Sequence, residues 1–262
     1  MKSYQFQLTY KYFFGLLSFF TIFSYYIWNI ATGDEVLNTY GGNYEIYTID
    51  FFTTFTLLSN VLVQIWFLSA AINHNKEGES KFLSYTTANS LATMITVTLI
   101  VYNFVLIPVD GFPSHPFSIF VTLVDHAIVP IAFILYVNLF MRNKQRVSQK
   151  EFFIKKFWIQ FVMVLAYCIF AMTRGELRYN SGDYYYYYDA SGKLINLLYP
   201  YFFLDIHNVG PAGLPGIVWF FIAFFGIIGL LVGFSSLYNF INNKVITKKF
   251  YIQYIKGEDF VV

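Results

Sequence analysis

The chain has 262 residues, of which 57% are apolar, 23% aromatic and only 12% charged, and its mean hydropathy is +0.51. A soluble domain carries about a quarter charged residues. This composition therefore excludes a disordered chain and exceeds what one soluble core can hide, while the lone Cys168 excludes a disulfide scaffold and a net charge of +2 implies no nucleic-acid partner.

Runs of about 20 apolar residues, enough to cross roughly 30 Å of hydrocarbon, predict six membrane helices. They cover residues 12–30, 49–72, 86–108, 118–140, 157–172 and 216–241, and the short fifth extends back to 154 if Lys155 and Lys156 snorkel. None alternates polar and apolar residues as a barrel strand does. The first run is too long for a signal peptide and lacks a small-residue cleavage site, so it reads as a span. The expected fold class is all-α, a six-helix polytopic bundle forming a single membrane domain over residues 1–262, with no internal repeat.

Lys and Arg counted over alternate loops give 14 on one side and 3 on the other, the latter being Arg174, Arg178 and Lys193. The positive-inside rule puts the fourteen, and both termini, in the cytoplasm. A Lys to Arg ratio of 13 to 4, with abundant Phe, Tyr, Ile and Asn, points to an AT-rich bacterial genome and hence a bacterial plasma membrane. Gly226, Gly229 and Gly233 line one side of the last helix, as close helix packing would use them.

Polar residues inside hydrocarbon mark function more often than they do in water. In the second run Thr53, Thr56, Asn60 and Gln64 are spaced 3, 4 and 4, and so share one helix face. The fourth carries Thr122, Asp125 and His126, with Pro130 one turn later. Counted from the outer ends of their runs, Thr56 and His126 lie about 10 and 12 Å deep. A hydroxyl and an imidazole at matched depth form a possible nucleophile and base. Asp125 projects about 100° away from His126, toward an outer vestibule. The long outer segment 173–215 reads as a lid or binding element. Its tyrosines 184–188 suit an aromatic belt. Asp205 and His207 lack the partners a metal site needs, so neither metal nor cofactor is expected.

Tyr40-Gly41-Gly42, Phe55-Thr56, Ser59-Asn60, Asp125-His126 through Pro130, and Tyr199-Pro200-Tyr201 through Asp205 with Gly210 follow in order over residues 40 to 240. As a set they resemble the androgen-induced protein family of multi-pass membrane proteins, most closely its bacterial Pr-six-Pr branch. The resemblance implies an intramembrane hydrolase of lipid esters, such as fatty acid esters of hydroxy fatty acids, with Thr56 as nucleophile and His126 as base. Thr53 and Thr54 stand as alternative nucleophiles. Asn60, one turn from Thr56, would donate to the oxyanion. Thr53, Ser59, Asn103, Asp125 and Asp205 are candidates for holding substrate, with Asn103 or Asp205 as possible orienting partners of His126. Membrane lipids are the expected partners. A proton-coupled transporter and a non-catalytic multi-pass protein are the rival readings.

Overall fold

The computed structural model describes residues 2–182, 184–188, 192 and 194–256. It is all-α and polytopic. Six helical stretches among the described residues are long and apolar enough to cross a membrane: Tyr4–Thr32, Phe55–Ile72, Tyr85–Asp110, Pro116–Phe140, Phe157–Tyr179 and Gly216–Lys249. In chain order the elements are α1 (Lys2–Thr32), α2 (Asp34–Tyr40), α3 (Tyr44–Phe52), α4 (Phe55–Ile72), α5 (Tyr85–Val101), α6 (Ile107–Asp110), α7 (Pro116–Leu123), α8 (Val129–Leu135), α9 (Gln149–Lys155), α10 (Phe157–Tyr179), the antiparallel hairpin β1 (Tyr186–Tyr188) and β2 (Leu194–Asn196), and α11 (Gly216–Lys256).

By its contacts the chain forms two compact units where the sequence shows no boundary. The first comprises residues 1–22, 59–161 and 230–262, and the second residues 23–58 and 162–229. The core of the first gathers Trp66, Phe67, Phe133 and Tyr136, each fully buried, with Ile95 and Tyr238. Trp66 and Phe67 meet Phe133 edge to face at 5.4 and 4.9 Å, the arrangement ring quadrupoles favour. Polar bonds tie α11 into this unit: Tyr85 donates to the Tyr238 carbonyl at 2.8 Å and Gln160 to the Ser235 hydroxyl at 2.7 Å.

In the second unit Ile46, Ile195 and Leu197 pack with Tyr40, Tyr185 and Tyr187. The tyrosine run therefore supplies one strand of a hairpin and, through Tyr185 and Tyr187, part of a small core. Tyr40-Gly41-Gly42 ends α2, where Gly41 has φ +58° and a Cβ would meet the Tyr187 hydroxyl at 2.8 Å. Only glycine suits both conditions.

Several expected boundaries move, two of them for a chemical reason. The second run is not one helix, because the chain breaks at Thr53-Thr54 between α3 and α4. Thr53 Oγ1 turns back to the Ile49 carbonyl at 2.6 Å, and Thr54 Oγ1 caps α4 by accepting from the Leu57 N–H at 3.2 Å. Two tyrosines serve the groups the break exposes. Tyr167 donates to the Thr53 carbonyl at 3.1 Å, and Tyr201 Oη accepts from the Phe55 N–H at 2.9 Å. The fifth span continues past Met172 to Tyr179 because Arg174 and Arg178 are held on Asp50 of α3, at 3.0 and 2.7 Å. The last helix runs on to Lys256. A Cβ at Gly226, Gly229 or Gly233 would meet no atom within 4 Å, so these glycines do not serve close packing inside the chain.

Candidate functional site

The site grows out of one proline. Pro130 has no N–H, so the His126 carbonyl four residues earlier loses its ordinary helical partner. The helix widens into a π turn over Val124–Ile128, in which Val129 donates to Val124 and not to Asp125. Two adjacent carbonyls are thereby released deep in a span, where no water replaces the lost bond. Two asparagines from neighbouring helices take them. Asn60 Nδ2 donates to the Asp125 carbonyl at 3.0 Å, and Asn103 Nδ2 to the His126 carbonyl at 2.9 Å. Asn103 itself lies in a second π turn, Tyr102–Leu106, just ahead of Pro108.

This frame fixes the imidazole of His126. Its Nδ1 lies 3.1 Å from the Thr122 carbonyl, which can only accept, so Nδ1 carries the proton and Nε2 keeps the lone pair. The ring stacks on Tyr102 at 3.4 Å between centroids, inclined by 20°. The orienting partner of His126 is thus a backbone carbonyl on its own helix, not Asn103 or Asp205.

Asp125 does not face a vestibule. It is buried and accepts from the Thr21 hydroxyl at 2.8 Å. Ser59, also buried, is 2.7 Å from the Thr98 hydroxyl and bridges two helices. For Asn60 the bond to Asp125 gives a structural role where the sequence suggested an oxyanion donor.

The remaining candidates belong to the second unit. Thr56 is the second residue of α4, so the count that put it about 10 Å deep from residue 49 does not survive the break at Thr53-Thr54. Its neighbour is the Tyr201 hydroxyl, whose phenol is pushed up by burial. Thr53 meets the Arg174 guanidinium. Arg178 also donates to the Leu197 carbonyl at 2.6 Å and lies over the Tyr185 ring at 4.8 Å. Arg174 and Arg178, which sequence reading counts as outer-loop cations, are therefore paired and mostly covered.

Asp205 organises its own loop. It accepts from the side chains of Asn196 and Asn208 at 2.9 Å each, and from the His207 and Asn208 N–H groups. His207 pairs with Glu176 at 2.9 Å and stacks on Tyr179. Among the described residues no three His, Cys, Asp or Glu side chains gather as a metal site.

Sequence reasoning missed a buried ionic cluster in the first unit. Lys11, fully buried, donates to Glu77 Oε2 at 2.5 Å, to the Ala70 carbonyl at 2.6 Å, and to His74 Nδ1 at 2.6 Å. Glu77, equally buried, accepts from the Tyr136 hydroxyl at 2.8 Å and the Arg142 N–H at 3.0 Å. Burial, followed by the charges of Lys11 and Arg142, lowers the His74 pKa to about 4. Lys11 stands immediately before the first apolar run and counts in the sequence as a loop cation, and nothing there marks Glu77 as its partner. No family model, no curated protein and no solved structure matches the chain.

Proposed function

We propose that the protein is an intramembrane lipid-ester hydrolase of a bacterial plasma membrane, with its lysine-rich loops in the cytoplasm. The reading rests on one observation above all: His126 sits inside a span with its tautomer set by Thr122, its ring clamped by Tyr102, and Nε2 left as the basic nitrogen. A helix interrupted by proline and widened into a π turn is a common setting for such a group. The family resemblance supplies the nucleophile, Thr56, and the substrate class. In this reaction Thr56 Oγ attacks the ester carbonyl while His126 Nε2 takes its proton. The same proton passes to the leaving alkoxide, and water then cleaves the acyl-threonine.

The test is hydrolysis of hydroxy-fatty-acid esters, acylglycerols and a chromogenic ester by purified protein, beside Thr56→Ala and His126→Ala. Loss of turnover in both folded variants supports the pair. Activity that survives Thr56→Ala but not His126→Ala moves the nucleophile to Thr53, Thr54 or water. No turnover on any ester overturns the proposal.

Buried Asp125, held by Thr21, favours a second reading, proton-coupled transport. That reading predicts proton-coupled flux in proteoliposomes, abolished by Asp125→Asn, and no acyl-enzyme.

A further inference from the structure

A cavity of about 240 Å³ opens in the first unit, away from His126, between the segment after the fourth span and the start of the third. Arg146, Lys155 and Lys156 line it, with one carboxylate, Glu151, and the hydroxyls of Ser84 and Thr86. Lys155 pairs with Glu151 at 3.3 Å. The side chains of Arg146 and Lys156 have no hydrogen-bond or ion-pair partner among the described residues, so the cavity carries uncompensated positive charge.

The wall is built. The strand of chain bearing Arg146 is pinned to α11 on both sides: Asn242 donates to the Gln145 carbonyl at 3.0 Å, and Asn243 both accepts from the Val147 N–H at 2.9 Å and donates to the Val147 carbonyl at 2.8 Å. Phe152, buried and itself in the lining, fastens α9 beneath. Ser84 caps the seventeen-residue α5, so the positive end of that helix also points at the cavity. A loop held this way presents its cation without an ordering penalty at the moment of binding.

Position selects the ligand. The third candidate span begins at Tyr85, a lining residue, and the fifth at Phe157, next to the lining residue Lys156. The cavity therefore lies at the level where a lipid headgroup sits, on the face that bears the excess of Lys and Arg. Its volume falls below the range of drug-sized sites and suits a phosphate with a small alcohol. Basic pockets between membrane helices on the cytoplasmic side are a recurrent setting for anionic headgroups. We infer that this cavity is a binding site for the phosphate headgroup of an anionic phospholipid, held by Arg146 and Lys156 with the Ser84 and Thr86 hydroxyls beside them.

The experiment uses the full chain in detergent and native mass spectrometry. The probes are phosphatidylglycerol, phosphatidylcholine with matched acyl chains, and inorganic phosphate. The expected result is preferential retention of phosphatidylglycerol, weakened about fivefold by Arg146→Gln and about twenty-five-fold by Arg146→Gln with Lys156→Gln. Lys150→Gln removes an exposed charge from the same segment that does not line the cavity, and retention should be unchanged. These side chains are exposed, so the variants fold, and thermal unfolding checks this. Equal retention of the two lipids, an equal loss with Lys150→Gln, or undiminished binding by the double variant overturns the site. Binding of inorganic phosphate with the same variant sensitivity, but no preference for phosphatidylglycerol, overturns the lipid assignment and makes the ligand free phosphate.

Discussion

Asn103→Ala removes the only donor described on the His126 carbonyl, leaving that oxygen unsatisfied inside a span. An orphaned buried acceptor costs about 1–3 kcal/mol. At roughly 2–4 °C per kcal/mol for a chain of this size, the Tm in a fixed detergent should fall by roughly 2–12 °C. The reasoning makes a sharper claim through Pro130. Pro130→Ala restores an N–H four residues after His126, in position to take the same carbonyl, and removes a residue that costs about 3 kcal/mol in a helix interior. In that background Asn103 is redundant, and Asn103→Ala should keep only a fraction of its effect. The double-mutant cycle should therefore return about 1–2 kcal/mol of coupling, within the range for residues sharing one partner. The assay is reversible unfolding followed by tryptophan fluorescence across the four proteins. Additive effects would refute the idea that Asn103 serves the carbonyl that Pro130 releases. Pro130→Ala should also let the π turn relax and so shift His126, and ester turnover should drop even as stability rises.

Other outcomes follow from the same structure. Glu77→Ala strands the Lys11 ammonium in the interior and should cost about 3–5 kcal/mol, whereas Lys11→Met with Glu77→Gln should recover most of that, since a paired loss leaves no buried charge; a double variant no better than Glu77→Ala would refute it. The lowered pKa of His74 means the unfolded chain takes up a proton first as pH falls, so this residue's contribution is complete above about 6.5 and is lost between there and about 4. His74→Asn should flatten the Tm against pH over that interval only, and an unchanged slope in the differential melt would contradict the assignment. Asp50→Asn leaves Arg174 and Arg178 without their shared carboxylate and should destabilise the protein by a few kcal/mol; protease cleavage in the segment 180–200 reports it. Asn60→Ala should lower Tm by as much as Asn103→Ala, while an oxyanion donor would instead show a turnover loss of two to three orders at unchanged Tm.

Composition alone carried the fold class, because six apolar runs leave a chain few alternatives to crossing a membrane. The boundaries were legible only where apolar character and helix geometry coincide. At Thr53-Thr54 the hydropathy is unbroken, and the break depends on Tyr167 and Tyr201, which lie more than a hundred residues away in the chain. Arg174 and Arg178 looked like loop charges because their partner, Asp50, belongs to another helix. His126 could be named from its rarity in a span, but the role of Asn60 could not. An asparagine one turn from a candidate nucleophile invites an oxyanion reading, and only the released carbonyl at Asp125 reveals what the amide holds. The buried cluster around Lys11 illustrates the same limit, since periodicity records which face a residue occupies and not whom it meets.

That cluster has a consequence for the order in which the protein is made. Lys11 emerges from the ribosome 66 residues before Glu77, and Tyr136 follows Glu77 by a further 59. At ~5–20 residues per second the first helix waits roughly 3–13 s for its counter-charge. During that wait its ammonium belongs in water, so the first turns of α1 lie at the membrane surface while the rest of the helix is already inserted. The second span, by threading through and delivering Glu77, draws the lysine inward. The segment around Lys11 thus settles only after Glu77 and Tyr136 have followed it, well after it is itself synthesised.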